Sequence, residues 1–468
     1  MRPGRDGGRR AWKWAVNALH YQIRRAREQE MGPRKWLLGL IAVLVILPFT
    51  AIACGDDDDT GDETPQATAT TGGGATSPTT AATKSTQDVL AGIKGDTTGV
   101  TDTEIKIGSH YPKTGPAAAY YDLAVAFQAY FDDVNKKGGI NGRKVKFLIE
   151  DDGYNPTNTV TAVKKLVEQD QVFMLFGQLG TPTAAAVSQY IKAEGVPSYF
   201  VMSGHPMWAT FGPAYSPLNP DYLVEGRAIG TYVANSFKGK KVGILYQNDD
   251  FGKTGREGTK TAMGSAVTIV GEETYEANAP DISSQALKLL NGGAEVLIAY
   301  ATPAQLAGAL KNVKAQGKTV TWVSTGVAVS SATAKLAEGA MDGVITVGYL
   351  PDPSEAATNP GLKKALDFLK ANGVANPNFF HLVGFELAEH LERLLTATGK
   401  NLNRESIVYA FENVAFQGDW KCTICYFPTI TNKDDHRPIE AMFMQKWDEA
   451  QKKFIRLGET MNLETTKK

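Results

Sequence analysis

Glu104-Ile105-Lys106-Ile107-Gly108-Ser109, then Lys113-Thr114-Gly115-Pro116, then Ala117–Lys136 decide the fold of this chain. A short apolar, β-branched run ends in a glycine-proline turn that opens a long amphipathic stretch, which is the signature of a strand feeding a helix. The same rhythm continues along the chain. Strands are expected at Lys144–Glu150, Val172–Phe176 and Ser198–Val201, with helices around Asn158–Glu168 and Pro182–Ala193. A second series places strands near Lys241–Tyr246, Ala266–Glu273, Val296–Tyr300, Val320–Val323 and Val344–Val347. Its helices lie near Thr254–Met263, Ser283–Leu290 and Pro303–Ala315. Two consecutive runs of one rhythm predict two similar α/β lobes with parallel sheets rather than one large sheet.

The strand ends carry the functional argument. Lys113-Thr114-Gly115-Pro116, Gly180-Thr181-Pro182, Ser203-Gly204-His205-Pro206, Thr302-Pro303 and Ser324-Thr325-Gly326 are small or polar turns that open helices. Thr181 before Pro182 and Thr302 before Pro303 have the form of an N-cap followed by proline at the first helical position. A helix start leaves N–H groups unpaired and carries partial positive charge, so it can hold a carboxylate without a lysine or arginine. In open parallel sheets ligands bind at the carboxyl ends of the strands, where these turns lie. Helix caps occur in every α/β protein, so the weight rests on several such turns, from both lobes, along one edge.

Outward towards the N-terminus, the basic residues from Arg2 to Lys35 precede one apolar run, Trp36–Ala53. Its length lies between that of a signal-peptide core and a minimal membrane span. It ends in Ala51-Ile52-Ala53-Cys54, which resembles the lipobox of bacterial lipoproteins, with Ala51 where leucine is usual. The resemblance implies a signal peptide over residues 31–54 and lipid attachment at Cys54; an uncleaved signal anchor is the other reading. Both put the rest of the chain outside the cytoplasm. Met31 with Arg34 and Lys35 would make a complete n-region, so residues 1–30 are expected to be a mis-called start or a cytoplasmic extension. Residues 55–100, with the Asp56–Asp59 run and then Thr, Gly, Ala, Ser and Pro, are expected to be a disordered tether. The Asp run reads as a solvated charge block, not a metal site.

Across the folded part the chain is similar to the type I periplasmic binding proteins, in their leucine/isoleucine/valine-binding branch. The matching stretches include Ile105-Lys106-Ile107-Gly108, Thr114-Gly115-Pro116, Gly138-Gly139-Ile140-Asn141-Gly142, Glu150-Asp151-Asp152, Glu194-Gly195-Val196-Pro197, Asp250-Phe251-Gly252 and Asp435-His436-Arg437. The resemblance implies two Rossmann-like lobes joined by a three-strand hinge. One lobe would be residues 102–222 plus 351–432, the other 223–350 plus 438–457. It also implies a ligand set. The family's first-loop aromatic falls on Tyr120 and its strand-end serine on Thr181. The next turn falls on Met202 and Gly204, with Ser203 between them, and a second-lobe tyrosine on Tyr300. Asp250, Phe251 and Thr325 belong to the same turns. The acidic residue that receives an amino acid's ammonium falls on Gly326, which has no side chain. Either Asp249 or Asp250 therefore supplies the charge, or the ligand is not an α-amino acid, because a buried ammonium without a partner is costly. His205, at the expected cleft mouth, either bonds a ligand oxygen or takes a surface or capping role.

Other sites fall away. Gly252-Lys253-Thr254 resembles the tail of a phosphate loop, but Gln247 stands where its first glycine should be and Asp249-Asp250 would repel phosphate. No G-x-S-x-G elbow or H-E-x-x-H helix occurs. His20, His110, His205, His381, His390 and His436 have no ligand spacing, so no metal and no cofactor are expected. Cys422 and Cys425 read as a local disulfide, with a redox pair or a zinc site as lesser readings. The 49 basic and 50 acidic residues balance, which argues against nucleic acid as a partner. Together these features lead to the expectation of a monomeric, non-enzymatic receptor. It would close on a branched-chain amino acid or a related small carboxylate or amide and deliver it to the permease of an ABC importer. A sensory receptor of the same fold, feeding a membrane kinase or chemoreceptor, is the rival.

Overall fold

The computed structural model describes residues 85–439 and 441–462. Cys54, the apolar run before it and the tether as far as residue 84 lie outside the described residues. Residues 85–100, expected within the tether, are ordered. Helix α1 (Thr86–Gly92) is capped by Ser85, and Leu90 is buried in the first lobe's core. Asn401 donates 2.7 Å hydrogen bonds to the carbonyls of Leu90 and Ile93. Segment composition hid this, because one leucine and two docked carbonyls suffice to hold the turn.

The first lobe follows the expected alternation. Strand β1 (Glu104–Tyr111) leads to α2 (Tyr121–Lys136), β2 (Lys144–Asp151) to α3 (Pro156–Lys164), and β3 (Met174–Phe176) to α4 (Thr181–Ala193). Strand β4 (Ser198–Val201), the short α5 (Met207–Thr210) and β5 (Tyr215–Pro217) complete this part. The strands form a five-stranded parallel sheet in the order β2-β1-β3-β4-β5. The second lobe begins with α6 (Tyr222–Ser236) and continues with β6 (Lys241–Gln247), α7 (Asp250–Met263), β7 (Thr268–Tyr275) and α8 (Ser283–Asn291). It continues with β8 (Val296–Tyr300), α9 (Pro303–Ala315), β9 (Thr321–Ser324), α10 (Ser331–Ala337) and β10 (Ile345–Gly348). The chain then returns to the first lobe through α11 (Pro360–Ala371), α12 (Phe379–Thr398) and α13 (Arg404–Ala410). It ends in the second with β11 (Ala441–Asp448), β12 (Lys453–Arg456) and β13 (Met461–Asn462).

The second sheet has eight strands, with the order β7-β6-β8-β9-β10 repeating that of the first lobe. Its far edge differs from the all-parallel expectation, since β11 joins β10, β12 and β13 antiparallel. A strand arriving from the other lobe needs no crossover helix and can pair in this sense. Both lobes reverse their strand order beside the first strand, between β1 and β3 and between β6 and β8. That is where doubly wound sheets open a crevice at their carboxyl edge.

Helix α6 has no counterpart in the expected elements. Its glycines, a poor helix signal, serve contact with α7: a Cβ on Gly226 would lie 2.3 Å from the Gly255 carbonyl oxygen, and one on Gly258 would lie 2.2 Å from that of Leu223. The two helices touch backbone to backbone. This close contact positions Tyr222 and Glu225, both carried on α6.

Candidate ligand cleft

A cavity of about 590 Å³, counted out to its mouth, lies between the carboxyl edges of the two sheets. Most of the parallel strands deliver a residue to it. Tyr120 follows β1, Tyr154 follows β2, Gly180 and Thr181 follow β3, Met202 follows β4 and Asn219 follows β5. From the second lobe come Phe251 after β6, Thr302 after β8, and Gly326 and Val327 after β9. Tyr349 sits at the hinge, and Phe379, Phe380 and Val383 of α12 close the side.

The first lobe sets its part of the wall with buried polar ties. His110, at the end of β1, holds Asp152 at 2.7 Å and Gln178 at 3.1 Å, and Gln178 donates to Ser198 of β4 at 2.6 Å. Asp152 also accepts from Tyr154 N–H at 2.9 Å and from Thr159 at 2.9 Å. It is fully buried, yet the His110 bonds hold its carboxyl below the usual range against the opposing effect of burial. The turn carrying Tyr154 is thereby fixed. Gly180, at φ +100°, lets the Tyr154 ring approach the α4 entry closely, since a Cβ there would sit 2.4 Å from that ring.

Of the expected contacts, Tyr120, Thr181, Met202, Phe251 and Gly326 do line the cavity. Thr181 does so differently from its expected role. Helix α4 starts at Thr181 with Gly180 as the cap, and the Thr181 hydroxyl instead shares a 2.8 Å hydrogen bond with Ser203. Thr302 does cap α9, with its hydroxyl 2.8 Å from Gln305. Ser203 stands one layer back. Gly204 lies against the hinge, where Tyr222 N–H donates to its carbonyl at 2.8 Å. The His205 ring lies outside the cavity wall and accepts from Met207 N–H at 3.3 Å, and burial lowers its pKa.

Three expectations fail. Tyr300 is not in the wall: its ring is fully buried under α7, with its hydroxyl on Thr259. Asp250 is not in the wall either. Asp249 is spent as the cap of α7, accepting from Phe251 N–H at 3.0 Å and Gly252 N–H at 3.3 Å. The carboxyl group beside position 326 comes from Glu225 of α6. Its oxygens accept from Gly326 N–H at 2.6 Å and from Thr325 at 2.9 and 3.0 Å. Glu225 is 3% exposed, and burial pushes its pKa up to about 7 despite those bonds. Thr325 is thus a buried support of Glu225.

Among the described residues, the cavity wall contains no Asp, Glu, Lys, Arg or His. Its polar groups are hydroxyls and one amide. Burial raises the phenols of Tyr120 and Tyr154 well above their usual range and that of Tyr222 to about 12, so all three remain O–H donors. The Tyr120 hydroxyl donates across the cleft to the Val327 carbonyl at 3.0 Å, tying lobe to lobe. Sequence reasoning missed Tyr154, Asn219, Tyr222 and Tyr349. The Gly153-Tyr154 turn after an acidic strand end was the one signal available for them.

Cys422 and Cys425 are joined as a disulfide. Its loop is held on α12, where Thr423 N–H donates to Glu389 at 2.6 Å.

Comparison with known proteins gives one family: residues 104–453 match the family described as periplasmic binding protein. An "Amino acid binding protein" from Pseudomonas aeruginosa is 23% identical over 329 residues, 68% of this chain and 81% of that one. A "Fatty acid ABC transporter substrate-binding protein" from Thermomonospora curvata superposes with a TM-score of 0.69 at 22% identity, covering 80% of this chain and 96% of that one. A branched-chain amino acid ABC transporter protein from Thermus thermophilus with bound valine superposes at 0.67 and 18% identity, covering 78% of this chain and 97% of that one.

Proposed function

The chain belongs to the type I periplasmic binding proteins, solute-binding proteins that work outside the cytoplasm, and on that premise we propose that it is the lipid-anchored receptor of an ATP-driven importer. Cys54 carries the anchor, the tether spans to the lobes, and the closed form is what the permease recognises. A ligand biases the equilibrium between open and closed lobes by bonding to both walls at once.

One observation supports this most directly. The cavity is shared between the lobes, and the Tyr120–Val327 bond spans it. Such a bond exists only when the lobes are together. The ligands named for two similar proteins, fatty acid and valine, have an apolar body and a small polar head, and the aromatic wall here suits such a body.

The test is thermal shift and small-angle scattering with a panel of amino acids, aromatic and aliphatic carboxylates, and amides. A binder should raise the melting temperature with concentration and shrink the radius of gyration. Tyr120→Ala with Thr181→Ala should abolish both responses. Unchanged responses in that double variant would place the cleft elsewhere. An intact peptide spanning residues 53–55 in the mature protein would refute the anchor.

A further inference from the structure

The receptor reading leaves the head group of the solute open, and the wall contains a residue that selects it. Asn219, in the turn after β5, lines the cavity and is 5% exposed. Its Nδ2 donates to the Tyr222 hydroxyl at 3.3 Å, while its Oδ1 is buried with no partner. A buried acceptor left unpaired is costly, on a scale of about 1–3 kcal/mol. In the wall of a ligand cavity, such an atom calls for a donor brought by the ligand.

Resting on the receptor reading, we propose that this cleft selects a neutral carboxamide on an apolar body, with the Asn219–Tyr222 pair reading the amide. Three head groups can be compared. An α-amino acid brings an ammonium, but no carboxylate of the described residues lines the wall. Asp249 is committed to capping α7, and Glu225 is enclosed behind Gly326 by the bonds from Gly326 and Thr325. A plain carboxylate brings acceptors only. It leaves Asn219 Oδ1 unpaired, and it enters a wall without a lysine or arginine among the described residues, with the carboxyl groups of Glu225 and Asp249 close behind that wall. A carboxamide brings both functions. Its N–H pairs with Asn219, and its carbonyl accepts from the hydroxyl of Thr181 or from the phenol of Tyr154, which burial keeps protonated. Around the head, Tyr120, Tyr154, Phe251, Tyr349 and Phe380 offer ring faces and edges to a flat or branched body.

The probes are benzamide, benzoate and phenylalanine, one ring with three heads, titrated by calorimetry into the intact folded protein. Benzamide should bind at least about 10-fold more tightly than the other two, the effect of one buried hydrogen bond. Asn219→Leu should remove that preference. Asn219→Asp keeps the size and the acceptor, so it should retain benzamide within about 3-fold and weaken benzoate further. Tighter binding of benzoate or phenylalanine, or a benzamide affinity unmoved in Asn219→Leu, overturns the inference. If a solute from the wider panel closes the lobes while benzamide does not bind, the inference falls and the receptor reading stands. If nothing closes them, both fall.

Discussion

The two lobes share a strand order but are built from different materials. The first has an aromatic core, in which Phe127, Phe147, Phe176, Phe200, Phe411 and Phe416 form one chain of ring contacts with Tyr199 and His390. Its strands are cross-tied by the buried Asp152–His110–Gln178–Ser198 network. The second has an aliphatic core around Ile244, Leu245, Leu297, Ile298 and Val323. Its strand ends present mainly backbone and small side chains, supported from behind by Glu225 and by the glycine contact of α6 with α7. The contrast divides the labour: the first lobe holds a fixed recognition wall, and the second brings a smooth surface down on it. Buried polar networks fix geometry when fully satisfied, whereas glycine contacts give close approach with little side-chain specificity.

If this division is right, cutting the network should cost most. Asp152→Ala leaves His110, Thr159 and the Tyr154 N–H without their shared acceptor. Urea denaturation should report a loss of about 4 kcal/mol, as expected when one partner of a buried pair is removed. A loss under about 1 kcal/mol would erase the contrast between the lobes.

Glu225 sharpens the second lobe's side. Its folded pKa is about 7 against an ordinary 4.5, so the folded state binds more protons than the unfolded one between these values. Stability should therefore fall as pH rises from about 4.5 to about 7 and level off above that, by roughly 3 kcal/mol. Glu225→Gln can still accept from Gly326 and Thr325, and should flatten that slope in melting curves taken across the range. A slope that survives would assign it to other groups.

The helix contact is next. Gly226→Ala would force a methyl to 2.3 Å from the Gly255 carbonyl oxygen, and should cost about 2 kcal/mol by parting α6 from α7. Because Glu225 is adjacent, the same variant should also weaken ligand-driven closure. Last, Tyr120→Phe removes the interlobe hydrogen bond while keeping the ring on Phe380. It should lower solute affinity by about 5-fold, equal to one net hydrogen bond near 1 kcal/mol, with thermal stability of the ligand-free protein almost unchanged.

Much of the fold was legible because the strand–turn–helix rhythm is local. The strands β1, β2, β4, β6 and β8 lie within a residue or two of their expected bounds, and a parallel sheet fixes which end carries the turns. Tyr120, Thr181, Met202, Phe251 and Gly326 were legible for the same reason, being positions in turns. The misses share a cause. Glu225 and Tyr222 ride on α6, whose glycines obscure a helix until α7 is there to meet them. Asn219 follows a three-residue strand that the sequence does not announce. Tyr300 was placed correctly on its strand but on the wrong side of it, since a strand end does not say which face the cleft takes.

The sequence by itself determined the alternating strands and helices from β1 to β10 apart from β5 and α6, the family and the absence of an acid at position 326, because each depends on residues close together in the chain. Only the tertiary structure decided which polar groups share one cavity, which are consumed in supporting it, and that Asn219 keeps an unpaired atom there. Those outcomes depend on burial and on partners as far apart as Glu225 and Gly326, and no local pattern carries that information.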